Sequence, residues 1–267
     1  MIEIFTADDS RLDMFRWRER QLTTIAQRKA GRNAGQFIAE GDLVVQRALD
    51  AKCVPDTVLC DPKRAESFDA QVAERGGQLY VASVDIRRDI TGLGVPLDAI
   101  GLFHRPRSVN AGELTEVCRR LLVLDCIDNP SNVGAIVRTA VAFGWDGLLL
   151  DSTSADPLSR RALRVSMGTA LKIPFARMDD IAATLADLRG RGVTIIGLTP
   201  ATNALSVSEV QILPLQRRAL VLGSERSGLS AATLALCEMQ VRIPMKSGVD
   251  SLNVAAAAAV ACYALGG

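Results

Sequence analysis

Leu121-Leu122-Val123-Leu124-Asp125, Gly147-Leu148-Leu149-Leu150, Val193 to Thr199 and Ala219-Leu220-Val221-Leu222 are short apolar runs separated by segments of helix length. A strand that is apolar on both faces must be covered on both faces. The runs therefore predict a doubly wound parallel sheet with helices on either side, an α/β fold. In such a sheet ligands sit beyond the carboxyl ends of the strands, so the polar residues that close each run are where chemistry is to be sought.

The first run leads through Cys126-Ile127-Asp128-Asn129-Pro130-Ser131 to Asn132-Val133-Gly134 and a helix carrying Arg138 and Thr139 as far as Phe143. The spacing Asn132-x-Gly134-x-x-x-Arg138 sets the arginine early in the helix, with its side chain expected to turn back toward the crevice at the strand ends. The run ending at Leu222 meets Gly223-Ser224-Glu225 and then Gly228, glycines that permit positive φ and close approach to the backbone. Val241-Arg242-Ile243-Pro244-Met245 reads as a last strand. After it come a polar loop with Gly248 and Ser251-Leu252-Asn253, with Ser251 as the expected N-cap of an alanine-rich helix. No G-x-G-x-x-G follows the first run and no G-x-x-x-x-G-K-[ST] occurs, so the usual nucleotide sites are excluded.

Composition narrows the chemistry. With 267 residues, 48% hydrophobic and 23% charged, the chain can build a large core without staples. A net charge of +1 confines any nucleic-acid surface to a local patch. The single histidine, His104, closes an apolar run and reads as a strand-end or linker residue, which removes histidine-dependent catalysis. Six cysteines without a CxxC pair argue for reduced thiols, a cytoplasmic location and no structural zinc. No leader and no apolar run long enough for a membrane span are expected.

Between Arg11 and Arg32, basic residues including Arg16, Arg18, Arg28, Lys29 and Arg32 are interleaved with Phe15 and Trp17. That pattern suits an RNA backbone with stacked bases, and it suits equally an amphipathic helix with Met14, Phe15 and Leu22 turned inward. Strands at Gln36 to Gly41, Thr57 to Cys60, Leu79 to Ala82 and Ala99 to Phe103 alternate with helices and predict a compact α/β recognition module. The polar run from Arg105 to Glu116 reads as a linker. The expected division is a substrate-binding domain at 1–107, a linker at 108–119 and a second domain at 120–267.

Asn132-x-Gly134-x-x-x-Arg138-Thr139, Gly223-Ser224-Glu225-x-x-Gly228, and Ile243-Pro244-Met245 leading to Ser251-Leu252-Asn253-Val254 resemble, in that order, the three motifs of the SpoU family of RNA ribose 2′-O-methyltransferases. The resemblance spans residues 121–264, and a weaker one links Phe37-Ile38-Ala39-Glu40-Gly41 to the substrate-binding module often fused to these enzymes. It implies a trefoil-knotted parallel-sheet domain, S-adenosylmethionine as methyl donor, transfer RNA or ribosomal RNA as substrate, an obligate homodimer and no metal. By matching position, Arg138 is the residue that activates the ribose hydroxyl, with Asn132, Glu225, Ser251 and Asn253 placed around it. A guanidinium is nearly always protonated, so Arg138 is read as binding the neighbouring phosphate and stabilising the developing oxyanion rather than as a base. Leu198, Thr199, Gly223, Ile243, Met245 and Leu252 are the expected cofactor contacts; Arg16, Arg18, Arg160, Arg161, Arg164 and Arg226 are the expected RNA contacts.

Ala255 departs from the family pattern, where a serine commonly follows the Asn-Val pair, and Arg226 stands where many members have a small residue. Plainer roles exist for the same residues: Asn132 and Ser251 as helix caps, Glu225 as a turn acceptor. A knotted dimer that binds RNA or cofactor without catalysis, and a base-directed methyltransferase, are the competing readings.

Overall fold

The apolar runs become the central strands of a sheet because their backbone groups, buried away from water, can be satisfied only by neighbouring strands. The computed structural model describes residues 1–24, 35–92, 94–107, 109–210, 216–246 and 251–266, so Arg28, Lys29, Arg32, Ser108 and Gly248 lie outside the described residues. The chain divides into two units, Met1–Ser108 with Leu158–Lys172, and Val109–Pro157 with Ile173–Gly267.

The first unit contains β1 (Ile2–Ile4), β2 (Gln36–Glu40), α1 (Asp42–Asp50), β3 (Pro55–Cys60), α2 (Ala65–Ala73), β4 (Gln78–Ala82), α3 (Val84–Thr91) and β5 (Ala99–His104). Its five-stranded sheet runs β1-β4-β3-β5-β2, parallel at β1/β4 and β3/β4 and antiparallel at β3/β5 and β2/β5. The register of β2 on β5 sets Phe37 opposite Phe103, and their rings stack at 5.5 Å. The described part of the basic stretch is not one amphipathic helix. It forms a 3-10 helix at Ser10–Arg16, capped by Asp9, and a single helical turn at Glu19–Leu22. Phe15 and Leu22 are buried in the core, which takes Phe15 away from any base-stacking role.

The second unit opens with α4 (Ala111–Val117) and continues through β6 (Arg120–Leu124), α5 (Pro130–Ala142) and β7 (Gly147–Leu150). After α6 (Arg160–Val165), which belongs to the first unit, come β8 (Phe175–Arg177), α7 (Ile181–Gly190), β9 (Thr194–Leu198), β10 (Leu205–Ser206), β11 (Arg218–Leu222), α8 (Ala231–Leu236), β12 (Met239–Arg242) and α9 (Val254–Gly266). The sheet has seven strands in the order β10-β12-β9-β11-β6-β7-β8, and every pairing is parallel. One face buries Leu121, Val123, Ala219 and Val221 against α7 and its neighbours.

Three sequence expectations are corrected. The polar run read as linker contains α4, started by a capping box in which Asn110 Oδ1 accepts from Glu113 N at 2.8 Å and the Glu113 carboxylate accepts from Asn110 N at 3.1 Å. The strand drawn to Met245 ends at Arg242, since Pro244 has no N–H to give a neighbour. Residues 158–172, placed by sequence in the second domain, fold with the first unit.

Candidate active site at the carboxyl ends of β6 and β11

Asn129 and Pro130 start α5: the Asn129 side chain accepts from Ser131 N at 2.9 Å, and proline occupies the first helical position, where no N–H is needed. With the cap supplied by Asn129, Asn132 is released for another task. Its side chain is buried, and Nδ2 donates to Glu225 Oε1 at 2.7 Å. Asn253 Nδ2 donates to the same Glu225 oxygen and, at 3.3 Å, to Asn132 Oδ1. Its other end works on the backbone: Asn253 Oδ1 accepts from Ala255 N at 2.9 Å and Ala256 N at 3.3 Å. Asn253, not Ser251, is therefore the N-cap of α9. An amide has both a donor and an acceptor end, so one side chain can cap a helix and hold a carboxylate, which a serine hydroxyl in that place does less well.

Glu225 is delivered to this point by the turn after β11. Gly228 N donates to Ser224 O at 2.9 Å, and the Ser224 and Ser227 hydroxyls meet at 2.8 Å. Gly228 has φ +65°, which only glycine adopts without strain. At Gly223 the constraint is contact rather than φ, because an added Cβ would stand 2.4 Å from the backbone of Gly228 and Leu229. Both amides that reach Glu225 are neutral, so they order the carboxylate without cancelling its charge.

The expected cofactor residues Leu198, Thr199, Gly223, Ile243, Met245 and Leu252 all line one cavity of about 850 Å³ in the second unit. Glu225, Ser251 and Arg226 line it as well. The sequence reading missed Arg242 and Lys246, which complete the basic part of the wall; their place beside Ile243 and Met245 was the available signal. Apolar walls with one ordered carboxylate and the cations Arg226, Arg242 and Lys246 fit a ligand that carries an aromatic base and charges of both signs.

Arg138 does not join this group within the chain. It lies six residues after Asn132, which at about 100° per residue puts it about 240° around the helix. It is exposed, does not line the cavity, and makes no hydrogen bond or ion pair among the described residues. The expected RNA-contact arginines also divide. Arg226 lines the cavity of the second unit, whereas Arg160 and Arg164 form ion pairs with Glu40 in the first. Arg16 donates to Ala7 O at 2.6 Å, Arg18 N donates to Gln21 at 2.9 Å, and Arg161 is exposed.

Among the described residues, Asp125, Cys126 and Asp151 offer ligand atoms within 4.8 Å of one another. Burial acts to raise the Asp151 carboxyl, but hydrogen bonds from Ser154, Thr153 and Cys126 outweigh it and hold the group below its ordinary value. Those donors already use the oxygens that a metal would need.

Residues 119–263 match the SpoU rRNA Methylase family. An uncharacterised tRNA/rRNA methyltransferase of Mycobacterium bovis is 35% identical, over 98% of this chain and 90% of that protein. A 23S rRNA (guanosine(2553)-2′-O)-methyltransferase of Bacillus subtilis is 29% identical, over 86% of this chain and 88% of its own. Among solved structures, the AdoMet-bound rRNA methyltransferase of Sinorhizobium meliloti superposes with a TM-score of 0.80 at 25% identity, covering 98% of this chain and 96% of that one.

Proposed function

The chain belongs to the SpoU rRNA methylase family, and on that premise we propose that it transfers the methyl group of S-adenosylmethionine to a ribose 2′-hydroxyl of structured RNA, with 23S rRNA the substrate to test first. The observation that carries this reading is the joining of Asn132 and Asn253 by hydrogen bonds to Glu225, which itself lines a cavity large enough for the cofactor.

When bound, the cofactor supplies an electrophilic methyl group on a positively charged sulfur. Leu198, Ile243 and Leu252, with the backbone at Gly223, line the cavity and would hold its adenine. Transfer to the ribose oxygen would break the sulfur–methyl bond and return its electron pair to sulfur, with the hydroxyl proton passing to water. The protein's contribution is alignment together with charge placed where the oxyanion develops. Glu225, fixed by two amides, and Ser251 at the cavity wall orient the ribose; Arg226 meets the RNA backbone.

Arg138 completes the site as a phosphate-binding and oxyanion-stabilising group in a homodimer. Ala256, Val260 and Tyr263 are exposed at helical spacing on α9, and Tyr263 packs edge-on against the exposed Phe143 at the end of α5. An apolar stripe of this kind, with Arg138 and Ala142 exposed on the adjoining helix, supports self-association. The insertion of β11 between β6 and β9, the crossing to β12 and the return of α9 onto α5 support the trefoil-knotted path. The enzyme acts in the cytoplasm; among the described residues no helix is long and apolar enough to cross a membrane.

Single-turnover transfer from methyl-labelled S-adenosylmethionine to 23S rRNA, followed by nucleoside mass spectrometry, tests the assignment. Label is expected on a 2′-O-methylated nucleoside. Label on a base would move the reaction to the other class of methyltransferase, and no transfer to any RNA would leave only a binding protein.

A further inference from the structure

Glu40 closes β2, whose preceding residues Phe37, Ile38 and Ala39 are all in the core, and is itself only 5% exposed. A carboxylate so deep must be paired. Its Oε1 accepts Nε of Arg160 at 2.8 Å and also Nη2, and its Oε2 accepts Nη1 of Arg164 at 2.8 Å. Arg160 is then largely occupied, because its Nη1 also donates to the carbonyls of Phe15 and Trp17 at 3.0 Å and 3.2 Å.

Arg164 differs. Its side chain is 33% exposed, makes no second hydrogen bond among the described residues, and lines a cavity of about 490 Å³ in the first unit together with Arg16 and Arg161. Glu19 and Asp89 are the other carboxylates on that wall, and Glu19 is engaged by the backbone N of Arg160 at 2.8 Å. With Nη1 fixed on Glu40, the Nε–Nη2 edge of Arg164 presents two parallel N–H groups, the geometry that accepts two oxygens of a phosphodiester. The segment that carries it is firmly seated: Arg47 donates to Met167 O, and Gly168 lies so close to Val44 and Arg47 that an added Cβ would meet them at 3.3–3.4 Å.

We propose that this cavity binds a backbone phosphodiester of the substrate RNA on Arg164, and that Glu40 is the residue that positions Arg164 for it. The inference rests on the reading above that RNA is the substrate. A space of this size exceeds what one small anion fills and admits a length of nucleic-acid backbone.

The test uses the full-length protein with 23S rRNA fragments, titrated over a range of potassium chloride concentrations. Arg164→Gln is expected to weaken RNA binding about tenfold and to lower the slope of log affinity against log salt by about 1. Glu40→Gln is expected to give the same loss, and the double variant no more than either alone. Cofactor affinity by calorimetry stays at the parent value in both, and in steady-state transfer the KM for RNA rises while kcat holds. Parental RNA affinity and salt slope in Arg164→Gln would overturn the proposal. Should Glu40→Gln fail to give a cooperative melt, Arg164→Gln decides alone, since its side chain is partly exposed. If the parent methylates RNA and Arg164→Gln binds as the parent does, only this inference fails. If the parent transfers no methyl group and Arg164→Gln still weakens binding, the cavity assignment stands and the enzymatic one falls.

Discussion

Two glutamates at strand ends, Glu40 and Glu225, are both ordered by hydrogen bonds, yet they are ordered by opposite kinds of donor. Glu40 is buried beneath two guanidiniums, so its charge is neutralised on the spot. Glu225 is exposed at a cavity wall and held by two neutral amides, so its charge remains available to a ligand. A carboxylate paired with arginine builds architecture, whereas one paired with asparagine keeps its chemistry, and the pairing is a better guide to role than the residue type.

The largest effect on stability is expected at Glu40. Glu40→Ala leaves two guanidiniums without their shared acceptor and should cost about 3 kcal/mol in denaturant unfolding. A loss below about 1 kcal/mol would mean that the pair is not a structural clasp, and the contrast between the glutamates would lose its first half.

Gly223→Ala comes next. The new Cβ would stand 2.4 Å from backbone atoms, so the turn carrying Glu225 has to shift, at a cost of about 2 kcal/mol to be read in cofactor binding by calorimetry. Unchanged affinity would show that the turn does not shape the cofactor cavity. A smaller step separates Asn253 from Ser251. Asn253→Ala should cost about 1 kcal/mol of folding stability through loss of the helix cap, and Ser251→Ala should stay within about 0.5 kcal/mol. Equal effects would return the cap to Ser251.

The smallest effect serves as a background control. Burial pushes the thiols of Cys60 and Cys262 up to about 12 and those of Cys53, Cys118 and Cys237 up to about 11. Above the ordinary thiol range, near pH ~8.5, the unfolded chain loses protons that the folded chain keeps. Stability is thus full below that range and declines as pH rises through it, which melting temperatures measured from neutral to alkaline pH will show. Both units carry such thiols, so the decline should be the same in every variant; a variant with a different slope has a disturbed core.

Much of this was legible before any coordinates. The central strands could be read because Leu121 to Leu124 and Ala219 to Leu222 have no polar interruption, and the residues of the later cavity could be named because they stand at the ends of β9, β11 and β12 and in the loop before α9. β1 could not, since Ile2-Glu3-Ile4 is too short to show a pattern. α4 was hidden by its polarity, although Asn110 and Glu113 stand at the spacing of a capping box. Ser251 and Asn253 are both good cap types, and only the hydrogen bonds to Ala255 and Ala256 distinguish them. The role of Glu40 was beyond reach because its partners are 120 and 124 residues away in the chain. Arg138 was placed in the crevice by its spacing from Asn132, but helical rotation carries it to the outer surface of α5.

The contrast between the two carboxylates is tested most directly by single-turnover methyl transfer in Glu225→Gln and Glu40→Gln, measured side by side at rising RNA concentration with saturating cofactor. Glutamine preserves the shape at each site and removes the charge; at Glu40, where both oxygens accept from arginine, it also replaces one acceptor with a donor. Glu225→Gln should slow transfer on the order of 10²-fold at every RNA concentration, while Glu40→Gln should recover most of the parent rate once RNA is saturating. A Glu225→Gln enzyme that transfers at the parent rate would contradict the account.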